Sequence, residues 1–535
     1  MNGWTRASSP LWAALAAVVS HATALSAGYV WLDHAHIEQG LALAPPRQLF
    51  SLFTGGFAGT GFYRPLMALS LSLDAAISNG AHYLHAVSLA WHAGAAALLV
   101  VAARALGSSP RAALAAGLLF AAHPATSLVA SAIAFRSEAI ILFFLLLLIV
   151  CHLRNRPLLA ALALAAGALS KETAWLLGPL FIAALELSGR RDTPRGSDAQ
   201  RARRRLLLAE GLAFVGVSVL RAVYAPPFRA AFPPLTWDEN AGTRLAALGK
   251  GLSYLLLPFP NTVCDAFPAT SALSPHSLLG AALLFLLLVA RFPSRRPLWL
   301  LLLALLPALQ LVPIMRWWSP HYFYVPLALG AVLVADLADQ RLRRLWPVLA
   351  LALPLYATWS LVDARRYRDD ASLWKPEVAR QPACREGHFY LGEVARAAGD
   401  WSSAALHYRR AASAIPGVLA YADERAAYEN LGAVELRAGR WAEARAAFTA
   451  ALERTPGREQ RRRVLYNLAL AALRGAEPSE AARLLAPEVE ASDPLPESLL
   501  VRARALHDLG REEEARQMLR LLASVAPLRA KLAGK

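Results

Sequence analysis

Apolar residues fill the first two thirds of the chain in unbroken runs, without helical or alternating spacing. Segments such as LLFLLLVA and ILFFLLLLIVCHL are apolar all round. A helix on the surface of a soluble protein keeps a polar face, so these runs suit lipid. Set against the basic stretches between them, they place spans at residues 12–32, 82–103, 112–131, 138–153, 157–170, 173–188, 206–223, 276–290, 298–314, 321–338 and 346–362. That is about eleven crossings, with the N-terminus inside and the C-terminus outside. The first run is expected to be a retained helix, since no small-residue cleavage pattern leads into a soluble domain. Residues 245–257 have outside loops on both flanks and read as an interfacial or re-entrant helix.

Beyond residue 363 the pattern changes from long runs to small and aromatic residues in a repeat. Aligning HFYLGEVARAAGDWSSAALHYRRAASAIP with YENLGAVELRAGRWAEARAAFTAALERTP pairs Leu391 with Leu431, Gly392 with Gly432, Ala404 with Ala444, Tyr408 with Phe448 and Pro416 with Pro456. These positions match the tetratricopeptide pattern. Glycine and alanine let paired helices approach, the aromatic fills the gap to the next helix, and proline ends the second helix. Two weaker units follow, around Leu468, Ala469 and Ala481, and around Ala503, Ala515 and Pro527. The expected fold class is therefore all-α: a polytopic membrane bundle over residues 1–362, a linker over 363–384, about four repeats over 385–527, and a tail at 528–535. Such arrays bind peptides or partner proteins and some merely scaffold, so the match identifies a fold and not a ligand.

Composition supports the membrane assignment: 56% of the 535 residues are hydrophobic. The formal charge of +17 raises the question of nucleic acid, but the basic residues lie between apolar spans, most densely at 189–205. Orientation in a membrane accounts for that placement, and no nucleic-acid partner is expected. Three cysteines are too few for a disulfide framework. No Walker loop, nucleophile elbow or cysteine–histidine metal spacing occurs, so no metal ligands are assigned.

The charge topology gathers the titratable groups on the outer face: Asp33 to Glu38, Arg64, FRSE at 135–138, SKE at 170–172 and RWWSPHYFY at 316–324. Charge in a short turn between apolar runs, as at Lys171 and Glu172, is costly and usually functional.

The order of motifs resembles bacterial relatives of the transmembrane and tetratricopeptide-repeat O-mannosyltransferases, within the GT-C glycosyltransferases. The resemblance is carried by VWLDH after the first span, YRPL at 63–66, His85 and His92, LFAAHP at 119–124, FRSE, LSKET at 169–173, YFYVP at 322–326 and the outward repeats. This chain departs from the family pattern at Thr126 and Leu128, where a histidine and a glutamate are usual, and at Ser88, where an asparagine is usual.

The resemblance implies a site in the outer half of the bilayer, a polyprenyl-phosphate sugar as donor substrate, the sugar being mannose or a similar hexose, and a protein hydroxyl as acceptor, with a protein acceptor or an envelope partner met through the repeats. Asp33 is the expected base that takes the acceptor proton, with Glu138 as a second catalytic carboxylate. Arg64, Lys171, Arg316 and His321 are expected to bind the lipid phosphate, supported by His34, Glu172 and Tyr324. No cofactor is assigned, and a divalent metal is left open. The expected location is a bacterial inner membrane, with a cytoplasmic N-terminus and periplasmic repeats. Two alternatives stay open: transfer to a lipid or surface polysaccharide, and a non-catalytic membrane scaffold whose repeats recruit envelope proteins.

Overall fold

The computed structural model describes the chain except residues 1–8, 190–196, 227–233, 258–260, 291, 293, 312–313, 490–492 and 527–535. Residues 190–196 of the basic stretch at 189–205, Pro527 and the tail at 528–535 thus lie outside the described residues. The described chain is almost entirely helical and divides by its contacts into Met1–Leu373 and Trp374–Lys535.

In the first unit, prolines at the first helical turn set several starts, where a missing N–H costs nothing. They open α2 (Pro65–Ile77), α4 (Pro110–Ala122), α7 (Pro157–Ser170) and α11 (Pro275–Val289). The other principal helices are α1 (Ser9–Ser20), α3 (Ala81–Leu106), α5 (Ser127–Ser131), α6 (Arg136–Leu153), α8 (Glu172–Gly189), α9 (Ser197–Tyr224), α10 (Trp237–Leu256), α12 (Arg295–Ala304), α13 (Tyr324–Gln340) and α14 (Leu345–Asp363). Among the described residues five helices are long and apolar enough to cross a membrane, or six if the bent pair α4–α5 is one span. Shorter apolar helices are α1, α2, α7 and α11, of which α1, α7 and α11 overlap expected spans.

Three departures from the expected spans have local causes. Residues 12–32 do not form one helix: α1 stops at Ser20, where His21 Nδ1 turns back to the Ala17 carbonyl at 3.1 Å. A short 3-10 turn, Ala22–Ser26, follows, and the chain then runs extended through Ala27. Residues 112–131 are broken at His123–Pro124 and bent by 56°, because proline excludes its predecessor from helical geometry and His123 is extended. Residues 298–314 lose their helix after Ala304, and Gln310 takes a left-handed conformation (φ 51°). Residues 245–257 lie within the longer α10, which opens on a capping box between Thr236 and Glu239. Helix α2 was not anticipated.

Among the described residues of the second unit, four helix hairpins follow one another: α16 (Arg385–Ala397) with α17 (Trp401–Ala412), α18 (Glu424–Arg437) with α19 (Trp441–Glu453), α20 (Arg458–Arg474) with α21 (Pro478–Leu484), and α22 (Pro496–Asp508) with α23 (Glu512–Val525). Each hairpin turns through one left-handed residue, Gly399, Gly439, Ala476 and Gly510 in order. A Cβ on Gly392 would stand 2.7 Å from the Tyr408 ring, and one on Gly432 2.7 Å from the Phe448 ring. Most of residues 363–384, expected as a linker, is ordered into a 3-10 turn, Ala364–Arg368, and helix α15 (Asp370–Arg380).

Candidate functional site

The segment after α1 is tethered at several points before it reaches Asp33. Gly28 N–H donates to the Arg368 carbonyl at 3.0 Å, and a Cβ on Gly28 would meet that oxygen at 2.7 Å. Trp31 then adopts φ 58°, an unfavourable conformation for a bulky residue that persists only where its surroundings hold it. Asp370 does so: its Oδ1 accepts the Trp31 N–H at 2.8 Å, while its Oδ2 meets His34 Nε2 at 2.8 Å. The other nitrogen of His34 pairs with Glu38. The Asp370 and Glu38 partnerships push the His34 imidazole up to about 9, against an opposing effect of burial.

Asp33 is fully buried. Its carboxylate accepts the Ala134 N–H at 2.7 Å and the Val30 N–H at 3.4 Å. Burial pushes its pKa up to about 7, opposed first by the Ala134 and Val30 N–H groups.

The break before α6 that offers Ala134 N–H also begins the helix carrying Arg136 and Glu138. The two side chains do not pair with each other. Arg136, fully buried, pairs with Asp74 of α2 and donates to Ser88 Oγ at 2.9 Å and the Leu84 carbonyl at 2.8 Å, locking α2 and α3 to α6. Glu138 receives Lys171 Nζ and lies 3.8 Å from His321 Nε2. The other nitrogen of His321 is 2.6 Å from Ser319 Oγ. Lys171 is available because α7 ends at Ser170 and Lys171 itself is extended before α8 begins. Burial draws its ammonium below the usual lysine range, against the pull of Glu138.

A second cluster abuts the first through α8. Glu172 accepts Arg64 Nε at 2.9 Å and the Tyr63 N–H at 3.1 Å, with Arg221 Nη1 at 3.9 Å. Arg221, near the end of α9, also donates to the Tyr63 carbonyl at 3.1 Å. Arg64, Lys171 and Arg221 therefore face two carboxylates, Glu138 and Glu172, leaving an excess of positive charge that suits an anion. Arg64 also lines a cavity of about 220 Å³ between residues 41–58 and α2. Arg316 lies 5.2 Å from the centre of the Trp31 ring, and Trp31 packs on Phe135, which packs on His321.

The structure thus brings Glu138, Lys171 and His321 into one group and Arg64 and Glu172 into a neighbouring one, with Arg316 over Trp31. Asp33 is fastened to the loop before α6, His34 turns to Asp370 and Glu38, and the Tyr324 hydroxyl meets His92 Nδ1 at 2.7 Å inside the bundle. Thr126 and Leu128 are buried, and the Thr126 hydroxyl donates to the His123 carbonyl at 2.7 Å. Sequence reasoning missed Arg221, whose place at the end of its apolar run away from the basic stretch was a usable signal. It also missed Asp370, which nothing local distinguishes, and the burial of His36. Among the described residues no three His, Cys, Asp or Glu side chains are grouped to hold a metal ion.

No family model matches the chain. It is similar to the protein O-mannosyl-transferase Tmtc2 of Drosophila melanogaster, 31% identical over 275 residues, which cover 46% of this chain and 28% of that relative. The chain thus spans well under half the length of the curated relative it matches. The similarity supports a glycosyltransferase-like protein, in keeping with the helices apolar enough for a membrane.

Proposed function

We propose that the chain is a GT-C-type membrane glycosyltransferase that moves a hexose, mannose in the first instance, from a polyprenyl-phosphate donor to a protein hydroxyl. In this reading the reaction takes place on the periplasmic face of a bacterial inner membrane, with about eleven spans. The four hairpins of the second unit are tetratricopeptide repeats that present the acceptor or an envelope partner. The observation that carries the reading is the cation-rich cluster of Arg64, Lys171 and Arg221 around Glu138 and Glu172, in a chain that buries Asp33 and is similar to an O-mannosyl-transferase.

Asp33 takes the proton of the acceptor hydroxyl as its oxygen bonds to the anomeric carbon. The bond from that carbon to the phosphate oxygen breaks, and the lipid phosphate leaves with the electron pair. Arg64, Lys171 and Arg316 offset its charge, so the leaving group needs no proton. Glu138 and Glu172 orient the cations, and His321 lies 3.8 Å from the same Glu138 oxygen that receives Lys171.

The test uses the purified chain in nanodiscs with a labelled polyprenyl-phosphate hexose and serine- or threonine-containing peptides. Asp33→Asn should lower transfer by about a hundredfold or more while donor binding persists. Parental transfer by Asp33→Asn would remove the base assignment. The backbone bonds to Asp33 also suit a purely structural carboxylate; under that scaffold reading the parent transfers no sugar.

A further inference from the structure

In the second unit, a cavity of about 290 Å³ lies against the third hairpin. Helix α20 walls it with Arg458, Arg461, Arg462 and Leu465, whose spacing puts them on one face of the helix. Leu484 and Leu485 close it from the end of α21. Arg458 and Arg461 are exposed, Leu465 and Leu484 half-buried and Leu485 buried, so the cavity is basic at its rim and apolar at its floor. Acids offset little of this charge. Arg462 pairs with Glu459 at 2.9 Å and donates to the Asp493 carbonyl. Arg461 donates to the carbonyls of Leu452 at 3.0 Å and Thr455 at 3.1 Å. Among the described residues the Arg458 guanidinium has no hydrogen bond or ion pair.

The place of these arginines in the helix adds to their cost. Helix α20 starts after Gly457 without a side-chain cap, and its first N–H groups carry partial positive charge. Cations there are repelled, and an anion relieves helix end and arginines together. A guanidinium meets a carboxylate through two parallel hydrogen bonds. The leucine floor behind the arginines asks for more than charge, since a ligand that joins its anion to an apolar group covers both surfaces. The exposed acids Glu453 and Glu459 flank the basic stretch and break up the broad cationic face that a membrane surface needs. We propose that this cavity binds a peptide segment of a partner protein in which an acidic side chain adjoins an apolar one. The carboxylate meets Arg458 and Arg461, and the apolar side chain packs on Leu465, Leu484 and Leu485. The proposal rests on the preceding reading only in that the repeats take a partner, and it uses none of the residues assigned to sugar transfer.

The experiment is fluorescence anisotropy on the full chain in zwitterionic nanodiscs, with a labelled hexapeptide of alternating leucine and glutamate and its leucine–glutamine and serine–glutamate counterparts. The parent should bind the leucine–glutamate peptide at least about tenfold more tightly than either counterpart, the scale of one charge-assisted hydrogen bond. Arg458→Glu should remove the preference for glutamate over glutamine, and Arg458→Lys should keep most of it. Arg458 is exposed and engages nothing among the described residues, so both variants should melt at the parent's temperature. A parent that binds the three peptides alike, or binds none of them, overturns the inference, and this comparison decides even if a variant does not fold. Preference retained in a folded Arg458→Glu also overturns it. Sedimentation with phosphatidylglycerol vesicles that is lost in Arg458→Glu, without any preference among the peptides, overturns it in favour of a lipid surface. Each of these failures leaves the proposed transfer standing, since that is read from the labelled hexose.

Discussion

At the scale of single residues, the Asp33 carboxyl is set by two opposed effects. Burial favours the protonated acid, backbone N–H groups favour the anion, and the balance falls near pH 7. A base must be ionised, so transfer should fall about tenfold per pH unit below 7 and level off above it. The stability linkage has the opposite sign. The folded pKa exceeds the ordinary value of 3.8, so its contribution is fully present below that value and is lost as pH rises through about 7. Asp33→Asn should flatten that dependence, read as melting temperature between pH 4 and 8; an unchanged slope would detach Asp33 from it. Asp33, Glu138 and Lys171 were legible in the sequence because a charge interrupting an apolar run is conspicuous. The contacts around them were not, since Asp370, which holds Trp31 and His34, and Arg221, which lies near Glu172, come from distant parts of the chain. Nor does a string of polar letters show that His36 turns inward while His34 stays half exposed.

At the scale of elements, the hairpins of the second unit were legible because glycine, alanine and an aromatic at fixed spacing express one steric requirement. The Phe448 ring is fully buried against Gly432 and cannot swing aside. Gly432→Val should therefore destabilise the chain by about 1–3 kcal/mol through overpacking. Phe448→Leu in the same chain should recover part of that loss. Denaturant unfolding followed by proteolysis of the repeat region checks this, and an unchanged midpoint for Gly432→Val would show that the helices are not held at that distance. In the first unit, apolarity showed that helices exist but not where they stop. The end of α1 depends on a histidine bonding back to its own helix, and the bend between α4 and α5 on one proline. Helix α2 was overlooked because its apolar stretch is shorter than a span and carries Asp74, whose partner Arg136 is far along the chain.

At the scale of the whole molecule, the boundary read from composition and the boundary drawn by contacts fall at different residues. Composition changes at residue 363, whereas the contacts divide after Leu373. The carboxylate that holds Trp31 in its unfavourable backbone conformation lies between those two points. This bears on how a shortened chain is designed. A chain ended at residue 363 deletes Asp370 along with the repeats, whereas one ended at Arg380 deletes the repeats alone. The longer version should keep transfer to short peptides, and the shorter should lose it, by about tenfold or more if the loop carrying Asp33 relaxes by an ångström. Equal activity in the two would show that Trp31 needs no outside support. Loss of activity on cutting at the composition boundary is therefore no measure of what the repeats contribute, because the cut also removes a fastening of the candidate catalytic loop.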